Sequence, residues 1–535
     1  MISSIGHIPA QAAKQFGDKT ALVLPDRSLS FNDLEKLSNN FANALVTLGI
    51  QPGDRVTLYS GNCWEWVVSY YGALKTGAVI NPINVMLTPT EVEFVANDCG
   101  ASIVIASHEK ALSLKSVKEN AQVRELIAFG DAALPEGMLS FNELLAAGSD
   151  AFQIPDIDPD SLSTIGYTSG TTGFPKGAQL THRGSVANIL NLVAMNMAAA
   201  LAEQKAIAAG DVPAPTGEPK APLPPCFMAP TPLFHVTACN CILHAATASG
   251  AKVVLMYKWD PGRALELIER EQVTSFSGVP TMSREMLLHP DWEKRDTSSV
   301  QGMGGGGAAL QPDLVHKIAG ALKGGQPSTG YGMTETHGII TANSARWFIA
   351  KPESCGPLVP TLEGKLVDED GNDLPAGPTT VGVLCVRGSI VIKGYLNREE
   401  ATADSIRDGW LNTGDIARID EDGFVYIVDR AKDMVIRGGE NVYCSEVETV
   451  IYNHDAIAEA CVFGIPEERL GEEVAAVIVL RPGRSLTEKE LQDFLSGTIA
   501  KHKIPTKIWF RDEPIPRNAS GKFLKRELKK ELTGE

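Results

Sequence analysis

A chain of 535 residues is too long for one compact core, so two or more domains are expected. Its content of 44% hydrophobic and 21% charged residues is that of a soluble globular enzyme, and a formal net charge of −17 excludes the basic field of a nucleic-acid binder. Nine cysteines without a C-x-x-C pair fit neither a disulfide framework nor a zinc site and suit a reducing cytoplasm.

In chain order, the start "MISSIGHIPAQAAKQFG" lacks the basic flank and apolar centre of a signal peptide. Ala21–Leu24 is apolar and strand-like. Asn32 with Glu35 resembles a capping box ahead of the stripe Leu34, Leu37, Phe41, Leu45 and Leu48, which Gly49 can terminate. Arg55–Tyr59 reads as a strand, Trp64–Ala73 as a helix, Ala78–Ile80 and Ser102–Ala106 as strands. This alternation predicts an α/β domain with largely parallel sheets.

Ser163–Tyr167 and Ala178–Leu180 read as two strands joined by a loop of small and hydroxylated residues, Thr168, Ser169, Gly170, Thr171, Thr172 and Gly173. A cluster of this kind is either a plain surface loop or a cradle for a polyanion. Glycines let successive N–H groups face one concavity, hydroxyls add donors, and Lys176 supplies a mobile positive charge. The stretch is not G-x-x-x-x-G-K-[ST]. Thr181 then caps a helix with Val186, Ile189, Leu190 and Val193 on one face, and Val186–Ala202 reads as a mostly buried helix, too short for a membrane span. Ala199–Pro225 reads as an exposed Ala/Pro-rich connection, and Cys239 and Cys241 as buried free thiols.

"GMGGGG" at Gly302–Gly307 is either a tight turn or backbone lying close to a flat ligand. In "STGYGMTET" (Ser328–Thr336), Tyr331 could stack on a base, Thr334 could bond a phosphate and Glu335 could hold Mg²⁺. In "GWLNTGD", Asp415 is either a turn residue or a bidentate acceptor for vicinal ribose hydroxyls. Gly364–Asp429 reads as antiparallel strands. After a boundary near Arg430, Ser445 and Glu448 cap a short helix, and Ile457–Phe463 and Val474–Leu480 are strands. Thr487 and Glu490 open a helix with Leu491, Phe494 and Leu495. Lys507–Phe510 is a last strand, and "NASGKFLKREL" sets Lys522 on a turn before a basic helix.

Taken in order, "TSGTTGFPKG", "PLFHVTA", "YGMTET", "GWLNTGD", "DRAKDMVIRGGENVYCSEVE" and "NASGKFLKREL" resemble the motif series of the adenylate-forming superfamily, in its acyl-CoA synthetase branch. The likeness runs over nearly the whole chain. It implies a large N-terminal α/β domain, residues 1–430, of mixed and parallel sheets flanked by helices with a small β-barrel-like part. A small mobile α+β domain, residues 431–535, would follow. It also implies an AMP-forming acid–thiol ligase: a carboxylate attacks the α-phosphorus of ATP, pyrophosphate leaves, and CoA then displaces AMP.

By the same resemblance, the Thr168–Gly173 loop with Lys176 holds the β- and γ-phosphates, Thr334 the α-phosphate and Glu335 the Mg²⁺. Ala308, Thr329, Gly330 and Tyr331 frame adenine, while Asp415 and Arg430 grip the ribose. Lys522 bridges the attacking carboxylate and the α-phosphate, with His235 beside the reacting groups. Lys432 is the hinge, Gly438 and Gly439 line the CoA tunnel, and Lys258 lies near the CoA phosphates. The acyl pocket is walled by His235–Cys239, Ser277–Thr281, Gly302–Gly306 and Thr336–Gly338, with His235, Thr237, Gly304, Gly305 and Gly306 facing the acid.

Where amino-acid-activating relatives carry an aspartate after Phe234, this chain has His235, and the pocket segments hold no Arg or Lys for a second carboxylate. A neutral hydrophobic monocarboxylate is expected, a medium- or long-chain fatty acid ahead of an aryl or arylalkanoic acid, with glycines making room for it. A luciferase-like oxygenase and a non-catalytic acyl-adenylate binder are the competing classes; the second should have lost Glu335 or Lys522, and this chain keeps both. Partners beyond the acid, ATP and CoA are no nucleic acid and no transmembrane segment, with peripheral membrane contact and a homodimer left open.

Overall fold

The structure is a computed structural model. It describes all residues except 1, 26, 131–132, 135, 169–174, 212–221, 309, 323, 376, 439, 519–520 and 535.

Two large sheets carry the N-terminal part. One runs Leu139–Ser140, Glu125–Phe129, Ala101–Ser107, Arg55–Tyr59, Val79–Pro82, Leu162–Thr168 and Lys176–Thr181; it is parallel except for the last pair. The other has eight strands, with Gly302–Gly306 between Ser275–Gly278 and Gln326–Tyr331. Ile103, Val104 and Ile105 form a short continuous apolar run buried from both faces, as a parallel interior strand requires. Between the two sheets lie the helices Phe31–Thr47 and Trp64–Lys75. Trp66, Tyr70 and Tyr71 are buried there, in one core with Val56 and Ile80 of one sheet and Leu22 and Val253 of the other.

A third, antiparallel sheet is built from Gly356–Pro357, Phe424–Arg430, Trp410–Ile419, Gly377–Gly388 and Leu362–Val367, with Ile406–Arg407 on the side. The chain then enters a smaller α+β unit. Its sheet joins Glu440–Val442, Val435–Arg437, Gly471–Leu480, Ile457–Glu467 and Lys507–Arg511, backed by the helices Cys444–Tyr452 and Glu488–Ser496.

Several local expectations need correction. The helix at residue 31 is capped by Ser30 with Asp33, not by Asn32 and Glu35; Glu35 instead bonds Lys75 at 2.5 Å. Ser445 and Glu448 lie inside the helix Cys444–Tyr452 rather than capping it. The Glu448 carboxylate accepts from the Val462 N–H and from Lys525. The helix after Thr181 continues to Ala209, so Ala199–Ala209 is helical and not part of a connection; residues 212–221 lie outside the described set. An alanine run is a strong helix former, and no proline intervenes before position 213. This helix is also not mostly buried: Leu190 is 60% and Met197 67% exposed, with Val193 and Leu201 also exposed. Among the described residues it alone is long and apolar enough to cross a membrane, and 33% of its most apolar window is buried. All nine cysteines are free.

Candidate active site

The loop between Leu162–Thr168 and Lys176–Thr181 does join two antiparallel strands, and Thr181 accepts from the Gly184 N–H to start the next helix. Thr168 and Lys176 face each other in that ladder. Ser169, Gly170, Thr171, Thr172 and Gly173 lie outside the described residues. A Cβ added at Gly166 would meet the Thr334 methyl at 2.8 Å, so the strand that feeds this loop runs against the segment Thr334–Thr336.

That segment turns sharply. His337 adopts φ +56°, and its imidazole is buried: Nε2 accepts from the Thr181 N–H at 2.8 Å while Nδ1 lies 2.8 Å from the Ile390 carbonyl. Burial, opposed by these backbone bonds, holds its pKa down to about 4, so the ring is neutral. The turn presents Glu335, 7% exposed, whose carboxylate accepts from the Tyr395 hydroxyl at 2.8 Å. Lys176 Nζ stands over the same tyrosine ring, 5.4 Å from its centroid.

Thr329 and Gly330 lie on the strand beside Gly305 and Gly306, and the Thr329 hydroxyl donates to the Gly305 carbonyl at 3.1 Å. Ala308 is exposed just past the glycine strand. Tyr331 ends its strand and donates its hydroxyl to Asp415 Oδ2 at 2.6 Å; Arg430 Nε lies 3.4 Å from Asp415 Oδ1. Asp415 is therefore a strand residue of Trp410–Ile419 and not a turn residue. Burial raises its pKa, with Arg430 and the tyrosine acting the other way.

Lys522 comes from the small unit and reaches into this group. Its Cε is 3.9 Å from where a Cβ on Gly307 would sit. Burial and then the Arg430 charge lower its pKa, whereas Asp415 and Glu335 raise it. The pKa of His235 is lowered to about 4 by burial and then by the Lys522 charge, so it is a neutral imidazole beside that lysine. Thr237 is half-buried in the short helix Val236–Ala238 that follows.

The glycine strand needs a different explanation from the expected one. A Cβ at Gly304 would stand 1.7 Å from the Ser328 carbonyl oxygen, and one at Gly305 (φ +156°) 1.6 Å from that of Gly278. These positions lack side chains because flanking strand backbone fills the space, not to leave volume for an acid. Gly438 has φ +61° in the turn Arg437–Glu440 and donates its N–H to the Leu470 carbonyl, inside the small unit; Gly439 lies outside the described residues. Lys258 is exposed on the loop after Lys252–Leu255, and Lys432 is exposed in the turn after Arg430.

A cation fits at Glu335. The carboxylate is buried, it accepts from a neutral phenol, and among the described residues it makes no ion pair. No group of three or more His, Cys, Asp or Glu side chains forms a metal cage among those residues. One carboxylate without a cage suits Mg²⁺ that takes its other ligands from phosphates and water. Two residues that bind this arrangement were not singled out in the sequence, Tyr395 and Asp98, the latter accepting from the Tyr167 hydroxyl and from Arg398; His337 was named only within the wall segment Thr336–Gly338. The bare aromatic in "IKGYLN" carries no spacing signal; only its contacts mark it.

The profile of the AMP-binding enzyme family matches residues 9–396, and that of the AMP-binding enzyme C-terminal domain matches residues 446–522. The chain is 32% identical over 551 residues to a long-chain-fatty-acid–CoA ligase of Bacillus subtilis (strain 168), covering 98% of this chain and 94% of the relative. It is 34% identical over 527 residues to 4-coumarate–CoA ligase 1 of Solanum tuberosum, covering 97% and 92%. A crystal structure of an anthranilate CoA ligase in complex with anthranoyl-AMP superposes with a TM-score of 0.87 at 26% identity, over 100% of both chains.

Proposed function

The chain belongs to the AMP-binding enzyme family as an AMP-forming acid–thiol ligase, and from that premise we propose that it activates a neutral hydrophobic monocarboxylic acid with ATP and transfers the acyl group to CoA. The observation that carries this reading is Lys522, brought from the small unit to within the electrostatic reach of Asp415, Arg430, Glu335 and His235.

The first half-reaction brings a carboxylate against a phosphate, so two anions must approach. Lys522, half-buried, sits where it would neutralise both. A cation in a desolvated site acts more strongly than in water, and it is already in place when charge develops. Asp415 and Arg430 hold the ribose, with Tyr331 fixing the Asp415 carboxylate; Thr334 takes the α-phosphate and Thr168, the following loop and Lys176 the outer phosphates. Mg²⁺ bound at Glu335 would supply charge neutralisation to the leaving pyrophosphate. The carboxylate oxygen forms a bond to the α-phosphorus as the bond to pyrophosphate breaks. In the second half-reaction the thiol sulfur, having lost its proton, forms the thioester as the bond to AMP breaks, with Gly438 and Gly439 leaving a path for it and Lys258 near the CoA phosphates. The small unit begins after Arg430 and turns about Lys432.

The acid is read from charge. His235 and His337 are both neutral, and the segments His235–Cys239, Ser277–Thr281 and Thr336–Gly338 contain no Lys, Arg, Asp or Glu. Such walls reject an ammonium or a second carboxylate, because a buried unpaired charge is costly. A medium- or long-chain fatty acid is the first choice, in a cytoplasmic setting that free thiols suit. An aryl acid is the second, since relatives named for both kinds of acid match over nearly the full chain. A panel of acids scored for CoA-dependent AMP release tests this: medium and long saturated acids should lead. An amino acid or a dicarboxylate as the best substrate would overturn it.

A further inference from the structure

Residues 390–396 tie three parts of the site together. Ile390 takes the His337 imidazole on its carbonyl, and the Ile392 N–H donates to the Glu335 carbonyl at 3.0 Å. From the next residue, the same segment pairs with the strand that leaves the phosphate loop. Lys393 N–H donates to Gln179 O at 3.1 Å, Gln179 N–H to Gly394 O at 3.0 Å and Leu396 N–H to Gly177 O at 2.8 Å, with Tyr395 opposite Ala178. Beyond it, Arg398 bonds Asp98 Oδ1 at 2.8 Å, while Tyr167, on the strand entering the loop, donates to Asp98 Oδ2 at 2.6 Å. The segment is thus a strap from the third sheet, anchored at both ends, that holds the Lys176 strand and the Glu335 turn in one register.

Tyr395 is the side chain at its centre. Its hydroxyl donates to Glu335 Oε1 and its ring lies under Lys176 Nζ. We propose that Tyr395 is a positioning residue, one that aims the Glu335 carboxylate at the metal and sets the separation between that carboxylate and the Lys176 ammonium. This rests on the reading of Glu335 as the metal group and Lys176 as the phosphate group. The physical reason is geometric. A single carboxylate that binds Mg²⁺ without a cage has two equivalent oxygens and free rotation about its terminal bond. A phenol on one oxygen leaves the other directed outward, and the ring beneath Lys176 keeps the ammonium from collapsing onto the same carboxylate. A direct Lys176–Glu335 pair would occupy both groups before ATP arrived.

The test uses the full chain and Mn²⁺ as the probe. The free Mn²⁺ electron paramagnetic resonance signal is titrated at saturating non-hydrolysable ATP analogue for the parent, Tyr395→Phe, Glu335→Ala and the double variant. Tyr395→Phe keeps the ring and should weaken Mn²⁺ by about tenfold, the lower end of what loss of a ligand's outer partner costs. Its thioester formation from pre-made acyl-adenylate should be spared, and in the Glu335→Ala background its effect should vanish. A Tyr395→Phe curve that superposes on the parent overturns the proposal, as does an equal fractional loss in both half-reactions. If Glu335→Ala itself leaves Mn²⁺ affinity intact, the metal reading of Glu335 falls and the proposal with it. If Glu335→Ala weakens Mn²⁺ while Tyr395→Phe does not, that reading stands and the positioning role alone fails.

Discussion

Glu335 is a buried carboxylate at the tip of a turn that makes no ion pair among the described residues, so its removal should cost chemistry rather than folding. Glu335→Ala is expected to lose Mg²⁺-dependent pyrophosphate release from a good acid while keeping the parent's melting temperature; an unaltered rate would contradict the assignment. Histidines set the response to acid. His182, His244 and His337 are fully buried, and burial lowers their pKa values from near 6.5 to about 4, about 3 and about 4. Because the folded protein binds these protons less readily than the unfolded chain, their contribution to stability is complete above pH 6.5 and is lost as pH falls towards 4. Asp429 runs the other way: burial raises its carboxyl to about 6, so its contribution to stability grows as pH falls from 6 and is complete below its ordinary 3.8. With His235 lowered as well and Asp415 raised, four histidines outweigh two carboxyls, and the net loss should be on the order of several kcal/mol by pH 4. The urea midpoint should therefore fall steadily from pH 6.5 to pH 5, and a flat midpoint across that range would contradict the neutral assignments.

Sequence alone suggests that Gly302–Gly306 leaves room for an acyl chain, whereas the flanking carbonyls of Ser328 and Gly278 fill that room at Gly304 and Gly305. Gly305→Ala should accordingly lower the melting temperature and reduce activity with every acid alike. Gly302→Ala, whose Cβ would meet nothing nearer than Ser275 Oγ at 3.9 Å, should behave as the parent. Selective loss of long acids in Gly305→Ala would restore the pocket explanation. Strand order within a sheet is a long-range property, so no local pattern announces such a clash. The same cause hid Tyr395, whose partners Glu335 and Lys176 are 60 and more than 200 positions away in the chain. Local signals fared better. The apolar runs at Arg55–Tyr59 and Ser102–Ala106 form parallel strands, and Thr181 and Thr487 cap their helices. Ser30 outcompeted Asn32 as a cap because its hydroxyl and the Asp33 carboxylate satisfy each other's backbone N–H groups. The helix after Thr181 ran on because alanines favour it, and its outer face carries Leu190, Val193, Met197 and Leu201 in the open.

At the scale of the molecule, the small unit sits with Lys522 turned inward. Thr449 lies 3.1 Å from Gln311 across the junction, Arg284 stands 6.0 Å from the Tyr452 ring, and a Cβ on Gly521 would touch Val279. Gly438, in the same unit, has its neighbour at Leu470 and not at the reacting groups. The motif order was legible in the sequence, but which motif faces the site in one arrangement is decided only by how the two units pack. If Lys522 and the turn at Gly438 serve one site, the unit must rotate about the turn at Lys432. Lys432→Pro, which fixes φ there, should hold one arrangement and slow one half-reaction more than the other. The most direct measurement is of both half-reactions, separately, on Lys522→Ala and Gly439→Leu. Lys522→Ala should stop acyl-adenylate and pyrophosphate formation yet still convert pre-made acyl-adenylate and CoA to thioester, while Gly439→Leu should make adenylate and fail at the thioester. Equal slowing of the same step in both variants would contradict the rotation.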